Sequence, residues 1–321
     1  MLSNKVFQMF IAGTGANMDY ALNQGLGGVI FFKDDIKTAE QFKTLISDIK
    51  SKSKMTPFLS IDQEGGRVER TENIHPKKYL SQKFAYQKGV EFLSNQTDEM
   101  LSELKEYGIN MNFAPCLDVN SNPDNPIIGE RAFSDNAEAV CNGYDIVIPV
   151  YKKYNIIPVI KHFPGHGDTA VDSHKELPVI DMPMSDMEHV HIKPFKHAID
   201  NGAEVTMVAH LWCKCFDKVE TPTSLSKSCI DYLRKVLKFE GIAISDDMFM
   251  NGVAKYGMTE AAVMGIKAGL NMFIYRDSSD KTLKVIEDVI KLAEKDNDLR
   301  AKINESYEKI LSLKRIHGFI S

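Results

Sequence analysis

Patterned cysteine is missing from this 321-residue sequence. Its five cysteines, Cys116, Cys141, Cys213, Cys215 and Cys229, are odd in number and include no CxxC pair. That argues against a disulfide framework and against a structural zinc site. No apolar run approaches the roughly 20 residues of a transmembrane helix. The N-terminus has one early lysine and then Val6 to Ala12 interrupted by Gln8, without a signal-peptide cleavage site. Basic charge is not in excess: 39 Lys+Arg against 44 Asp+Glu give a net charge of −5, so the electrostatic footprint of a nucleic-acid binder is missing. A dinucleotide fingerprint is missing too. Gly13-Thr14-Gly15 has no third glycine in register, and Gly25, Gly27 and Gly28 precede an apolar run instead of following one. No Pro/Gly/Ser-rich linker, internal repeat or low-complexity segment divides the chain. A single cytoplasmic domain over residues 1–321, with no membrane or nucleic-acid partner, is therefore expected.

What is present is an alternation. Short apolar runs recur at Val6 to Ala12, Gly28 to Phe32, Phe58 to Ile61, Ile109 to Ala114, Ile156 to Ile160, Val205 to Ala209, Ile242 to Ile244 and Met272 to Tyr275. Helical patterns separate them, over 82–107, 137–154 and 226–239 among others. Thr38 with Gln41 forms a capping box ahead of Phe42, Leu45, Ile46 and Ile49, and Ser185 with Glu188 repeats the device before a segment ending near Gly202. Strands alternating with helices imply an α/β fold with a parallel sheet, and eight strands imply a closed (β/α)8 TIM barrel. A doubly wound open sheet is the alternative. The helical patterns at 281–292 and 301–316 are expected to pack on the barrel.

One stretch is dense in chemistry. Lys161 to His174 reads KHFPGHGDTAVDSH and follows the apolar run Ile156 to Ile160, so a buried strand delivers a polar loop to one end of the sheet. In a barrel, catalytic side chains come from the C-terminal strand ends. Those positions hold Asp62, Asp118, Lys161, His162, His210, Asp246 and Asp247, with Arg67, Arg70 and Arg131 nearby. Because strand side chains alternate, only one of Asp246 and Asp247 is expected to face the axis. Glycoside hydrolysis needs such carboxylates, a proton donor and groups that grip hydroxyls. A metal-dependent hydrolase would need His/Asp ligands such as His162, His166, Asp168, Asp172 and His174. Lys161 would repel an ion at His162, and the HxH of many barrel metallohydrolases is missing, so no metal and no cofactor is expected.

With these residues in view, the sequence resembles glycoside hydrolase family 3, and within it the single-domain bacterial β-N-acetylglucosaminidases (β-hexosaminidases) of peptidoglycan recycling. Gln8-Met9-Phe10, Gly27 to Phe32, Asp62-Gln63-Glu64-Gly65-Gly66-Arg67-Val68 with Arg70, and Asn112 to Pro115 with Asp118 carry the resemblance. Ile128 to Phe133, KHFPGHG joined to Asp172-Ser173-His174, and Ser245 to Met248 complete it. Met248 replaces a more usual leucine, and Trp212 to Phe216 is an unusual passage.

The resemblance implies an exo-acting, retaining β-N-acetylglucosaminidase that releases terminal N-acetylglucosamine from muropeptides through a covalent glycosyl-enzyme. By it Asp246 is the nucleophile, Asp247 is structural, and Asp62, Arg70, Arg131, Lys161 and His162 hold the sugar. Arg67 and Glu64 are read as bracing their loop through an ion pair, and Phe163-Pro164 as a cis peptide. Larger members of the family take their acid from a second domain, whereas this chain ends about 45 residues after its eighth strand. The resemblance therefore assigns the acid to His174, paired with Asp172, since an imidazole titrates near pH 6.5, roughly, and a carboxylate stabilises its charged form. His166 and His210 are left between structural and catalytic roles. A phosphorylase on the same scaffold and a catalytically idle sugar-binding protein are the alternatives, a monomer is expected, and the partner is a small saccharide.

Overall fold

The structure is a computed structural model, and it describes residues 1–75, 77–169 and 177–321. Ten strands are named in chain order: β1 Phe10–Gly13, β2 Gly28–Phe31, β3 Phe58–Ile61, β4 Met111–Asn112, β5 Ile157–Phe163, β6 Val179–Ile180, β7 Val205–Val208, β8 Trp212–Cys213, β9 Ile242–Asp247 and β10 Met272–Tyr275. Eight of them close a barrel in the order β1-β10-β9-β7-β5-β4-β3-β2, every pair parallel. Read without β6 and β8, that order is the chain order, so the fold is a (β/α)8 TIM barrel. The strands are buried on nearly every residue because helices cover the outer face and side chains fill the inner one. Strands β6 and β8 form a separate two-stranded parallel pair outside the ring.

Each expected apolar run overlaps a barrel strand, and two expected segments are divided. Val6 to Ala12 is divided: Leu2–Gln8 is a helix, and β1 begins only at Phe10. A short apolar run does not reveal where a buried helix ends and a buried strand starts. The region 82–107 is likewise two helices, Gln82–Gln87 and Val90–Tyr107, separated at Gly89, whose φ of 102° lies where a side chain would be strained.

The two capping boxes fared differently. Thr38 caps the helix Ala39–Lys52 by accepting from Gln41 N–H at 3.2 Å, and Phe42, Ile46 and Ile49 are buried beneath it. Ser185 is not a cap, because Pro183 precedes the helix Met184–Asp186 and the Ser185 hydroxyl donates to Asp186 at 3.3 Å. Proline fixes the extended backbone that the cap position needs, and the start moves with it.

Two register shifts shape the end of the barrel where the strands finish. On β5, Ile160 pairs with Thr206 and Phe163 with Val208, so three steps on β5 span two on β7. On β9, Ile244 and Asp247 pair with Met272 and Ile274, again three steps against two. Each is a β-bulge, which inserts a residue and re-aims the side chains beside it. The peptide bonds Lys161–His162, Phe163–Pro164 and Ala114–Pro115 are cis.

The opposite end is closed by the C-terminal helices Asp280–Ala293 and Asn297–Ile316, both of which pack against Leu2–Gln8. From the second, the Lys314 ammonium reaches inward to Gln8 Oε1 at 2.8 Å and Gly27 O at 3.1 Å, above the Phe58 ring. Its hydrogen-bond partners are neutral carbonyl oxygens, and burial lowers its pKa to about 7. Between that value and about 10.4 the unfolded chain binds the proton more tightly than the folded one, so stability rises with pH across this window. Lys314→Met removes the effect. The unfolding free energy of the parent protein relative to Lys314→Met, from urea denaturation, should therefore rise by about 1 kcal/mol per unit between pH values of roughly 7.5 and 9.5. A difference that stays flat over that interval would contradict the assignment.

Candidate active site

The two bulges decide what reaches the pocket. At the end of β5 both Lys161 and His162 line one cavity of about 230 Å³, and at the end of β9 so do both Asp246 and Asp247. Strict alternation would turn one of each pair away, and the register shift lets both border the cavity, although the Asp247 carboxylate is held by Arg276. Asp62, Arg70, Arg131 and His166 complete the polar lining, and Ile30, Phe113, Met207 and Ile274 give an apolar wall. The volume lies below the roughly 300 Å³ at which drug-sized pockets begin, a space for one small polar ring.

Glu64 holds the cationic side together. Its carboxylate is buried and takes a bidentate pair from Arg131, Nε and Nη2 both at 2.9 Å. It also takes the Lys161 ammonium at 2.6 Å. Lys161 in turn reaches Asp62 at 2.7 Å, and Asp62 stands 3.8 Å from Arg70. Burial pushes the Glu64 pKa up, but the adjacent Arg131 and Lys161 charges outweigh it and hold the carboxyl well below its usual range. Burial pulls Lys161 down, and Asp62 with Glu64 outweigh it, so the ammonium stays charged.

Glu64 therefore does not pair with Arg67. That side chain is exposed and donates to the backbone carbonyls of Pro126 and Ile127. A three-residue spacing suggested the local pair, whereas the actual partners are 67 and 97 positions away in the sequence. The Glu64 loop itself turns through Gly65 and Gly66, at φ values of 90° and 62°.

Asp118 organises the other side without lining the cavity. Fully buried, it accepts from His162 N–H at 3.2 Å, from His162 Nδ1 at 2.7 Å, from His166 N–H at 2.6 Å and from the Cys116 thiol at 3.1 Å. Burial raises its pKa, but His162 and the His166 backbone outweigh this and keep it ionised. Arg131 Nη2 approaches His162 Nε2 at 3.3 Å. A guanidinium has nothing but donors, so Nε2 accepts, and the Nδ1 proton points to Asp118. The possible ligand atoms of Cys116, Asp118 and His162 lie within 4.8 Å of one another. An ion there would have to displace the protons now shared among them.

Asp246, at the end of β9, borders the same cavity. Burial raises its pKa, yet His162, His210 and the Asp247 N–H at 2.7 Å from Oδ1 outweigh that and lower it overall, so it is a carboxylate at neutral pH. Asp247 is engaged elsewhere, with Arg276 Nε at 2.7 Å and Phe249 N–H at 3.0 Å. His166 and His210 are buried and neutral. Burial lowers His166 to about 4, and it also lowers His210, against the opposing field of Asp246. His166 Nδ1 meets the Thr169 hydroxyl at 2.8 Å and His210 Nδ1 meets Ser224 at 2.7 Å, and the His210 ring also lies against the backbone of Asp246 and Asp247. Asp172 and His174 lie outside the described residues.

The sequence profile of the glycosyl hydrolase family 3 N-terminal domain matches residues 1–313. The chain belongs to glycosyl hydrolase family 3. Among curated relatives, a protein named beta-hexosaminidase A from Pseudoalteromonas piscicida is 30% identical over 269 residues, covering 77% of this chain and 45% of its own length. A beta-hexosaminidase from Nitrosomonas eutropha is 30% identical over 273 residues, covering 82% of this chain and 78% of its own. A solved family 3 beta-N-acetylglucosaminidase from a Paenibacillus species superposes with a TM-score of 0.93 at 28% identity, over 99% of this chain and 63% of that one. The chain thus spans less than two thirds of two of these three relatives. A beta-N-acetylhexosaminidase from Beutenbergia cavernae, at 23% identity and a TM-score of 0.89, has the same fold over 98% of both chains.

Because Glu64 anchors two buried cations, Glu64→Gln should destabilise the protein by about 3–5 kcal/mol in urea unfolding. Arg67→Ala, which removes exposed contacts to backbone, should cost less than about 1 kcal/mol. Equal costs would mean that Glu64 is not the anchor.

Proposed function

We propose that this chain is an exo-acting, retaining β-N-acetylglucosaminidase that releases the terminal non-reducing N-acetylglucosamine of muropeptides. The observation that carries the reading is that a partly exposed, ionised Asp246 shares one single-ring cavity with Asp62, Arg70, Arg131, Lys161 and His162. The names of the curated and solved family 3 relatives support the same activity. In this reading the Asp62 carboxylate accepts from sugar hydroxyls, while Lys161, Arg70 and Arg131 donate to them. Residues 1–321 act as one catalytic domain, and the substrate is a small saccharide bound by a cytoplasmic monomer.

The reaction is a double displacement. Asp246 attacks the anomeric carbon as the bond to the leaving oxygen breaks, and that oxygen takes a proton from His174. Water then attacks the same carbon, gives its proton to His174, and the bond to Asp246 breaks. Asp172 orients the His174 ring and stabilises its charged form. The assignment of the acid rests on the Asp172-Ser173-His174 motif. It is also supported by the state of His166, which burial keeps neutral down to about pH 4 and so removes as a source of protons near neutrality.

Aryl β-glycosides of glucose, N-acetylglucosamine and xylose, with and without phosphate and a chelator, test the reading. The N-acetylglucosaminide should be cleaved to free sugar in every condition. Asp246→Asn should abolish this while leaving the fold intact, and near-normal turnover would sink the nucleophile assignment. His174→Ala should lose roughly 10²- to 10⁴-fold on poor leaving groups and far less on activated ones, and equal losses on both would argue against an acid role. Accumulation of sugar 1-phosphate would identify a phosphorylase instead.

A further inference from the structure

The passage Trp212 to Phe216 carries two cysteines with one residue between them, and the glycosidase chemistry uses neither. Its backbone is tied to the segment that leads out of residues 170–176. Trp212 N–H donates to Pro178 O at 2.8 Å and Lys214 N–H to Ile180 O at 3.0 Å, which aligns β8 with β6. The Cys213 carbonyl then accepts from Phe216 N–H at 3.0 Å and Asp217 N–H at 3.3 Å. That turn folds Cys215 back over Cys213, and the two sulfurs lie 3.2 Å apart. Cys213 is buried, whereas Cys215 is partly open to solvent. A buried thiol beside an accessible one suits a pair in which the accessible sulfur is attacked first and the buried one resolves it.

The remaining thiols provide a contrast. Burial raises Cys116 and Cys229 well above the ordinary thiol value and Cys141 to about 11, which leaves them protonated and unreactive. Cys215 moves the other way, because the hydrogen bond from Cys213 stabilises its thiolate against the opposing effects of burial and Asp217. The same hydrogen bond, with burial, raises Cys213.

We propose that Cys213 and Cys215 form an oxidisable dithiol, which hydrogen peroxide converts to an intramolecular disulfide that weakens the β6–β8 pairing. The Cys215 thiolate attacks the peroxide. An S–O bond forms, the O–O bond breaks, and the departing hydroxide takes up a proton as water, leaving a sulfenic acid. The Cys213 sulfur then attacks that sulfenic sulfur. The S–S bond forms, the S–O bond breaks, and the leaving hydroxyl departs as water with the Cys213 proton. Two thiols lose two electrons in total, and one hydrogen peroxide becomes two waters. A covalent bond draws the sulfurs closer than a hydrogen bond does. With a single residue between them, the contraction falls on the backbone at Lys214, whose N–H holds Ile180.

The test is hydrogen peroxide titration of the whole protein, read by differential alkylation and peptide mass. The expected result is a disulfide between Cys213 and Cys215, reversed by dithiothreitol, at peroxide levels that leave Cys116, Cys141 and Cys229 alkylatable. Cys213→Ser should stop at a dimedone-reactive Cys215, and Cys215→Ser should leave Cys213 a thiol. Prior oxidation of another cysteine, or two intact thiols at 213 and 215 in the parent protein, would overturn the proposal without any variant being needed. Amide exchange at Lys214 should accelerate by about tenfold or more in the oxidised protein. Unchanged protection would overturn the link to β6.

Discussion

The site depends on one buried carboxylate. Glu64 lies on a glycine turn after β3 and gathers a guanidinium from the loop after β4 and an ammonium from the end of β5. Three separate segments are thereby fixed to one point. A buried cation without such a partner would cost several kcal/mol or lose its proton. With Glu64 in place, Lys161 and Arg131 stay charged and both border the cavity. Asp118 does the matching work on the histidine side, fixing the His162 ring and the start of the loop that follows. Neither carboxylate needs to touch a ligand to be indispensable.

The second constraint is geometric. Two bulged strands, β5 and β9, flank β7 in the ring, and each ends in two consecutive polar residues that border the same cavity. One of the β9 pair, Asp247, is neutralised by Arg276 beside it, while Asp246 is left with an open face. Burial acts on both carboxylates alike, and the difference lies in the neighbours. Asp246 looks toward His162, His210 and Lys161, and its pKa falls. Asp247, despite its ion pair, is raised by burial and by Asp246.

Much of this was legible in the residues. The strand and helix alternation predicts the barrel because each apolar run is short, buried and flanked by helical spacing, and the polar residues at the strand ends mark the pocket. Three features were not legible, each for a physical reason. A bulge has no signature in a run such as Val159 to Phe163, since period-two reasoning allots one residue per face. Glu64 and Arg67 are neighbours in sequence, yet the fold brings Arg131 and Lys161 closer to Glu64. Lys314 lies near the end of an amphipathic helix, where a lysine is usually solvated, and only the tertiary contacts with Gln8 and Gly27 take it inside.

The central claim is that the Glu64 and Asp118 networks hold a single sugar ring so that Asp246 forms a bond to its anomeric carbon. The most direct measurement is peptide mass analysis of enzyme quenched during turnover of a slow fluorosugar analogue of an aryl β-N-acetylglucosaminide. The account predicts one sugar attached to the peptide containing Asp246. Steady release of product with no adduct, or an adduct on any other residue, would contradict it.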